Sequence, residues 1–494
     1  MRQLVQTAIT PSQITALLLV VAAAVYVQAR LGFHTDVSWL LTLNERLLAG
    51  EQLYVDLLVV NPAMPVWFYR IPVLIAQATG LRAEIVLHGM IAATAVASYA
   101  LTSHLLMRAK LIDAAQSVWF GIILFALLYV IAAYTYAQRE FIGLLGLLPW
   151  LAMQAWRAAS PRAKPGWPLV LLCGLGCAAM VLVKPYYVLT VLAPVAALCA
   201  MRRSLRPAFH AENIIGALIV IALTGLFLIL HPAFFSEMIM LILSAYAPHM
   251  TVLPLQVHTA ALLVVLIAVV VCIPLRQWSP LTVLLFASAV GHITALWLMG
   301  RAFPYHAYPA YVLATLAVLT LYRRPVGEKH PGPVPAFAAA LAIAMGWGVF
   351  SGGANLSPDL KNYLADNHRG ATFMPISNSM IDGHPVSRVA DLEFVAPAAF
   401  LSITTYGDQI IADHDGTDAA LLSRIDTAKQ FEWQAFRETL FDTRPEIVIM
   451  PVGLRSGKPD AVEAIWSNQG PKGRPSDLYR LETTIDGYEV YMRR

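Results

Sequence analysis

Residues 213–231 read NIIGALIVIALTGLFLILH, and no Asp, Glu, Lys or Arg interrupts them. About 20 consecutive apolar residues are enough for a helix to cross the hydrocarbon core of a bilayer. This stretch therefore predicts a membrane-spanning helix. On either side of it, ten further apolar runs predict spans of the same kind: 13–30, 85–107, 115–136, 140–157, 168–184, 186–201, 257–275, 280–299, 306–322 and 334–351.

The composition of the whole chain agrees with a membrane protein. Hydrophobic residues make up 58% of the 494 residues and charged residues 13%, whereas a soluble domain has about 25% charged residues. The formal net charge is only +4, and the basic residues occur in short clusters between apolar runs. Such clusters are typical of topology signals, so we expect no nucleic-acid partner.

The acidic residues divide the chain into two regions. Only ten of the thirty Asp and Glu residues lie in the first 350 positions. We predict a membrane domain over 1–353 and a soluble domain over 354–494. In the soluble domain, a helix at 429–441 precedes a buried strand at 446–451, and an alternating strand follows at 487–491. The predicted fold class is a polytopic α-helical membrane protein of about eleven spans with a small C-terminal α/β domain.

The basic clusters set the predicted orientation. If the eleven runs cross in turn, all of the clusters fall on one side, which the positive-inside rule identifies as the cytoplasm. The N-terminus is then cytoplasmic and the C-terminal domain extracytoplasmic. The first run is interpreted as an anchor, with a cleaved signal peptide as the alternative. The clusters are Arg108/Lys110, Arg157/Arg162/Lys164, Arg202/Arg203/Arg206, Arg276 and Arg323/Arg324/Lys329.

Residues 31–84 are predicted to form one long external loop. Its segment 64–80 is apolar, but counting it as a span would invert every later basic cluster. Pro65, Pro72 and Arg70 also favour a helix that lies at the interface or enters and returns. Residues 36–48 alternate at helical spacing and predict an amphipathic helix on the membrane surface, with Asn44, Glu45 and Arg46 on its polar face.

With this topology, the polar residues collect at the outer face. Carboxylates, cations and aromatic rings together suit an anionic, lipid-linked substrate, because cations hold phosphate, rings stack on sugar and a carboxylate removes a proton. An ionisable group at a membrane boundary is costly, which makes each of these a candidate. The residues are His34, Asp36, Tyr54, Asp56, Asn61, Gln138, Arg139, Glu140, Lys184, Tyr186, Tyr187, Glu237, Tyr246, His249, Arg301, Tyr305 and His306.

Each candidate also has a structural interpretation. Asp36 could cap the surface helix, since Asp is a favoured N-cap. The run from Gln138 to Glu140 could be a solvated turn between spans, and Lys184 could extend to the interface. His306 could be an interfacial anchor. The arrival of these residues on one side from separate loops is what favours function.

The order of these features resembles that of the GT-C glycosyltransferases, the superfamily that contains the lipid A aminoarabinose transferases and the protein O-mannosyltransferases. The resemblance covers about residues 30–325. It rests on His34-Thr35-Asp36, Ala49-Gly50-Glu51, Tyr54-Val55-Asp56, Asn61-Pro62-Ala63-Met64-Pro65, Tyr136-Ala137-Gln138-Arg139-Glu140, Val183-Lys184-Pro185 and the run from Gly300 to His306, followed by Tyr308-Pro309.

This resemblance implies a polyprenyl-phosphate-sugar donor, transfer on the periplasmic side of a bacterial inner membrane, and inversion at the anomeric carbon. It implies Asp36 as general base, with Glu140 assisting it or binding a metal or the acceptor. The acceptor would be lipopolysaccharide, another envelope glycan, a lipid or a protein. The donor phosphate would contact Lys184, Arg301, His306 and Arg139, and the substrates would contact Asp56, Tyr54, Asn61, Gln138 and Tyr305.

The sequence departs from the family pattern at two positions. The usual Asp-Glu pair is Asp36-Val37 here, and Asn61 stands where aminoarabinose transferases place an acidic residue. A divalent cation is therefore neither required nor specified.

Two other function classes stay open. A transporter or flippase would need ionisable groups inside its spans, and often repeated halves. An envelope-assembly subunit would use the C-terminal domain for binding.

Overall fold

The computed structural model of the protein describes residues 9–247, 252–301, 303–321, 334–353, 357–413, 418–452 and 459–494. His249 lies outside the described residues, and so do Arg323, Arg324 and Lys329 of the last basic cluster.

Helices dominate the described chain, and a small sheet lies near its end. The α-helices are α1 Pro11–Leu31, α2 Thr35–Leu48, α3 Ala63–Thr79, α4 Ala83–Arg108, α5 Ala114–Ala126, α6 Arg139–Ala159, α7 Trp167–Val183, α8 Val188–Arg202, α9 Ala211–Leu230, α10 Ile239–Ala245, α11 Val252–Cys272, α12 Pro280–Met299, α13 Pro304–Thr320, α14 Val334–Phe350, α15 Pro358–Asn367, α16 Val386–Val389, α17 Ser402–Asp413, α18 Ala419–Asp442 and α19 Pro459–Val462. The strands are β1 Thr372–Pro375, β2 Glu393–Phe394, β3 Ile447–Pro451, β4 Tyr479–Ile485 and β5 Tyr488–Arg493.

The eleven predicted spans all fall on helices, but the expected number of about eleven spans is not supported. Among the described residues, six helices are long and apolar enough to cross a membrane. The others are shorter or more polar. α7, α13 and α14 have 17 residues each, the part of α11 counted as apolar is Gln256–Cys272, and α6 carries Arg139, Glu140 and Arg157. The six are Pro11–Leu31, Ala83–Arg108, Ala114–Ile131, Pro185–Arg202, Ala211–Leu230 and Pro280–Met299.

The chain divides into two compact units. The first contains Met1–Phe33, Glu84–Leu226 and Thr251–Gly353, and the second contains His34–Ala83, Phe227–Met250 and Ala354–Arg494. The long loop after α1 thus belongs with the C-terminal part of the chain, a grouping that the predicted boundary at 353/354 does not express.

In the first unit, glycines let helix backbones approach closely. Gly146 of α6 and Gly176 of α7 face each other so closely that a Cβ on either would meet the other's backbone. Gly291 of α12 has the same relation to the Leu189 carbonyl of α8. Small residues at such crossings are typical of helices that pack within a membrane. These two contacts fix the α6–α7 and α8–α12 pairs that bring the site residues together.

The second unit contains a five-stranded mixed sheet in the order β2-β1-β3-β5-β4. Strand β1 pairs in parallel with β2 and β3, whereas β5 runs antiparallel to β3 and β4. β3 is buried along its whole length, as expected of a central strand. The helix predicted at 429–441 lies within α18, and both predicted strands are confirmed as β3 and β5.

The surface helix predicted at 36–48 is confirmed as α2, but its environment differs from the prediction. Asn44 is fully buried and donates from Nδ2 to the carbonyls of Leu40 and Val66, at 2.8 and 3.0 Å. Its assignment to a solvent-facing side is therefore wrong, because α2 packs against α3 within the second unit. Glu45 pairs with Arg388 of the C-terminal region, with N–O distances of 2.6 and 3.0 Å.

Candidate functional site

The candidate site of the first unit is built from helix ends. Gln138 caps the N-terminus of α6, which begins with Arg139 and Glu140. Lys184 follows the last residue of α7, and His306 lies in the first turn of α13. The close approach of α6 and α7 at Gly146 and Gly176 brings the first two of these ends side by side.

Glu140 is the centre of this group, and it is fully buried. Its Oε1 atom accepts a hydrogen bond from the Tyr187 hydroxyl at 3.1 Å and lies 3.3 Å from Lys184 Nζ. His306 Nε2 lies 3.7 Å from the same oxygen. The second oxygen, Oε2, is buried and has no hydrogen-bond partner. Since an unsatisfied buried acceptor is costly, Oε2 is an open position for a hydrogen-bond donor.

Five predicted residues surround Glu140. Lys184 Nζ donates to His306 Nε2, and His306 Nδ1 faces the Arg301 carbonyl at 3.4 Å. The Tyr305 ring lies 5.9 Å from the Arg139 guanidinium carbon and 5.7 Å from Lys184 Nζ. These distances allow cation–π attraction. The structure therefore brings together three cations, one carboxylate, one imidazole and the phenol rings of Tyr187 and Tyr305.

The structural alternatives for these residues do not hold. Gln138, Arg139 and Glu140 are 0%, 3% and 0% exposed, so they do not form a solvated turn. Lys184 pairs with Glu140 instead of extending away. His306 is buried and engaged at both ring nitrogens, unlike an anchor in the interfacial region.

The sequence did not single out His292, which supports this group through the candidate residue Tyr187. His292 stacks on Tyr187 with ring centroids 4.6 Å apart. Its Nδ1 accepts from the Thr190 hydroxyl at 2.9 Å, and its Nε2 donates to the His306 carbonyl at 2.8 Å. His292 thereby links the ring behind Glu140 to the backbone of α13. The position of His292, an ionisable residue in the middle of the apolar run 280–299, is the sequence signal that could have identified it.

Asp36 belongs to the second unit, at the start of α2. The helix is capped by His34, whose Nδ1 accepts from the Asp36 amide at 3.1 Å. The interpretation of Asp36 as the cap is therefore wrong. Its carboxylate lies 3.9 Å from His34 Nδ1 and is 17% exposed.

The other three predicted loop residues also lie in the second unit. Tyr54 is fully buried, and its hydroxyl donates to the Asn61 carbonyl at 2.8 Å. Burial also raises the pKa of Tyr54 far above its ordinary value. This geometry is that of a core residue and does not support the predicted contact with substrate. Asp56 is exposed and accepts from the Gln52 amide at 2.8 Å, closing a turn.

A metal site was left open by the sequence. Within the described part of the chain, no group of three or more His, Cys, Asp or Glu side chains is arranged to hold a metal ion.

The chain was also compared with known proteins. No family model matches it, and no curated protein matches it either.

Proposed function

We propose that the protein is a membrane glycosyltransferase that uses a polyprenyl-phosphate-linked sugar as donor. The proposal rests on the resemblance to GT-C enzymes and on one observation of geometry. A buried carboxylate with an open oxygen, Glu140 Oε2, lies in a group that also contains Lys184 and Arg139. An anionic phosphate substrate fits such a group because it supplies the negative charge that the cations favour.

The reaction would be an inverting displacement. A hydroxyl oxygen of the acceptor attacks the anomeric carbon, a carboxylate accepts the hydroxyl proton, and the bond between that carbon and the phosphate oxygen breaks. Asp36 is proposed as this base. The departing polyprenyl phosphate carries the negative charge, and Lys184, Arg139 and Arg301 would stabilise it.

Glu140 would hold a hydroxyl donor of the substrate at its open oxygen while its other oxygen stays fixed. Tyr187 and Lys184 hold Oε1 at 3.1 and 3.3 Å, which sets the direction of Oε2. Positioning of this kind lowers a barrier without a change in chemistry. His306 would contact the donor phosphate as well.

The finer features of the proposal follow from the apolar runs, the positive-inside rule and the same resemblance. They are about eleven spans, a cytoplasmic N-terminus, a periplasmic C-terminal domain and a bacterial inner membrane. The acceptor would be lipopolysaccharide, another envelope glycan, a lipid or a protein. A transporter would use an ionisable residue such as His292 within a span. However, both ring nitrogens of His292 are bonded to neighbouring helices, which favours a supporting role.

The test is transfer of label from radiolabelled polyprenyl-phosphate sugars into envelope fractions. Wild type is compared with Asp36→Asn and with Arg480→Gln, an exposed control in the second unit. Transfer by wild type and control but not by Asp36→Asn supports the class and the base. Equal transfer by all three keeps the class and removes Asp36 from the chemistry. No transfer from any donor contradicts the proposal.

A further inference from the structure

Two connections of the first unit join the helix ends opposite to those that carry Glu140 and Lys184. Residues 160–166 join α6 to α7, and residues 203–210 join α8 to α9. Arg202, the last residue of α8, donates from Nη2 to the Ala158 carbonyl at the end of α6. The two connections therefore form one continuous surface.

This surface carries five exposed cations, which together we call the cationic surface: Arg162, Lys164, Arg202, Arg203 and Arg206. Glu212 is the only acidic residue between positions 157 and 213. It is fully buried and held by Arg157 through two bonds of 2.8 Å. Among the residues that the structure describes, no ion pair involves any of the five cations. Their charge is thus available to an anionic partner.

Large apolar side chains project beside these cations. Trp167, Leu205 and Phe209 are 64%, 74% and 70% exposed. Leu205 and Phe209 flank Arg206 in the turn at 203–210, which contains a 3₁₀ helix, Arg206–Phe209. Exposed aromatic and aliphatic groups among cations are typical of protein surfaces at the level of lipid headgroups.

A buried network holds the turn in place. Asn213 Nδ2 donates to the Pro207 carbonyl at 3.0 Å, and Asn213 Oδ1 accepts from Trp150 Nε1 and Gln154 Nε2 at 2.9 and 3.0 Å. Gln154 also donates to Glu212 at 3.3 Å. The turn is therefore fixed to α6 and α9, so little ordering is needed when a ligand binds.

We propose that the cationic surface binds the headgroup of an anionic phospholipid. The cations contact its phosphate, and Leu205, Phe209 and Trp167 contact the upper part of its acyl chains. A neutral headgroup would leave five like charges uncompensated. A purely aqueous anion would leave the three apolar side chains in water. An anionic lipid matches both the charges and the apolar side chains. The site is separate from Glu140 and does not depend on the proposed activity.

The test is native mass spectrometry of the full-length protein in detergent, titrated with phosphatidylglycerol or phosphatidylcholine. Arg203→Asn/Arg206→Gln removes two cations, and Asn tolerates the left-handed backbone of Arg203, whose φ is 47°. Since each Lys or Arg near a lipid surface contributes about 1 kcal/mol, we expect phosphatidylglycerol to bind roughly thirtyfold more weakly to this variant. The control Arg424→Gln/Arg480→Gln removes two exposed charges from the second unit and should bind like wild type.

Further experiments distinguish binding of an anionic lipid from the other outcomes. Arg162→Gln/Lys164→Gln should weaken phosphatidylglycerol binding to a similar degree, and it replaces the first variant if that one fails to fold. Equal binding of the two lipids to wild type would overturn the proposal. So would unchanged binding by both cation variants. Displacement of phosphatidylglycerol by inorganic phosphate at equal concentration would also overturn it, because the apolar contacts would then contribute nothing.

Discussion

Glu140 and Glu212 lie in the same compact unit, and both are fully buried. Both oxygens of Glu212 are bonded, to the Arg157 guanidinium and to Gln154. Only one oxygen of Glu140 is engaged, and the other has no hydrogen-bond partner. Burial alone therefore does not distinguish a structural carboxylate from a candidate for function. The two kinds of carboxylate are distinguished by whether the second oxygen has a hydrogen-bond partner.

The difference follows from the cation beside each glutamate. Arg157 presents a planar fork that satisfies both carboxylate oxygens at once, as bidentate pairs do. Lys184 is a single point charge and contacts one oxygen. It is also shared with His306. We call Arg157–Glu212, in which both carboxylate oxygens are bonded, the closed pair, and it stabilises the fold. Lys184–Glu140, in which one oxygen is bonded, is the open pair, and it keeps an acceptor for a substrate.

The largest expected effect comes from breaking the closed pair. Arg157→Gln leaves Glu212 buried without its cation, which should lower the free energy of unfolding by about 3–5 kcal/mol. The measurement is unfolding of the purified protein in detergent. Arg206→Gln, an exposed cation nearby, should change it by less than about 0.5 kcal/mol. Equal stability of the two variants would mean that the Glu212 pair is not structural.

The second prediction concerns Glu140, where a substitution should affect activity above all. Glu140→Gln keeps an acceptor and the shape of the side chain but removes the charge. Because it leaves the partly buried Lys184 without its carboxylate, we expect it to lower the free energy of unfolding as well, by about 1–3 kcal/mol. Its transfer per folded molecule should fall about 100- to 1000-fold, as for loss of one positioned group. Label transfer per folded protein measures this. Full activity would remove Glu140 from the site.

Glu432 sharpens the comparison, because it is a fully buried carboxylate bonded to no cation among the described residues. It accepts from the Ile403 and Thr404 amides at 3.0 and 2.8 Å, at the start of α17. Burial nevertheless raises its pKa from 4.5 to about 7. Between these values the folded state keeps a proton that the unfolded state loses. Stability should therefore fall by about 3 kcal/mol as pH rises through that window.

Hydrogen exchange of residues 402–413, corrected for the intrinsic pH dependence of exchange, measures this change in the full-length protein. Glu432→Gln does not titrate, so its protection should be flat over the same window. A wild-type profile that is equally flat would show that Glu432 stays ionised when folded.

The smallest effect is expected at a partly exposed pair in the second unit. Arg388 holds Glu45 through two bonds, but the Glu45 side chain is 40% exposed. Arg388→Gln should therefore cost only about 1 kcal/mol. The loss should appear as faster amide exchange in α2. Arg480→Gln breaks a looser, exposed pair with Glu482 and is the matched control. Unchanged exchange in α2 would show that its packing against α3 suffices.

The sequence predicted the positions of the helices well, because apolar runs of span length leave few alternatives to a helix. It also predicted that Glu140, Lys184 and His306 belong to one group, because the predicted topology places their helix ends on the same side of the membrane. It could not count the spans, because α6 and α13 are buried and their polarity is tolerated inside the protein. The roles of Tyr187 and His292 depend on side-chain contacts between distant helices, which no single-chain pattern reveals.

Glu212 was visible in the sequence but was not recognised. It is a lone acidic residue after a run of three arginines at 202–206 and directly before an apolar stretch. From this position, Glu212 could have been predicted to be the buried partner of one of the basic residues. The location of Asn44 was mispredicted for a related reason: helical periodicity identifies a polar side chain, not the carbonyl that it satisfies inside the protein.

The pair between Glu45 and Arg388 also sets an order of events during synthesis. The two residues are 343 positions apart, so the ribosome must add the whole membrane region before they can meet. At about 5–20 residues per second, α2 waits roughly 20–70 s for its partner. Until then its buried face lacks the C-terminal contacts, and a chain that stops early never acquires them. Residues made after the membrane region therefore complete the packing of the first loop.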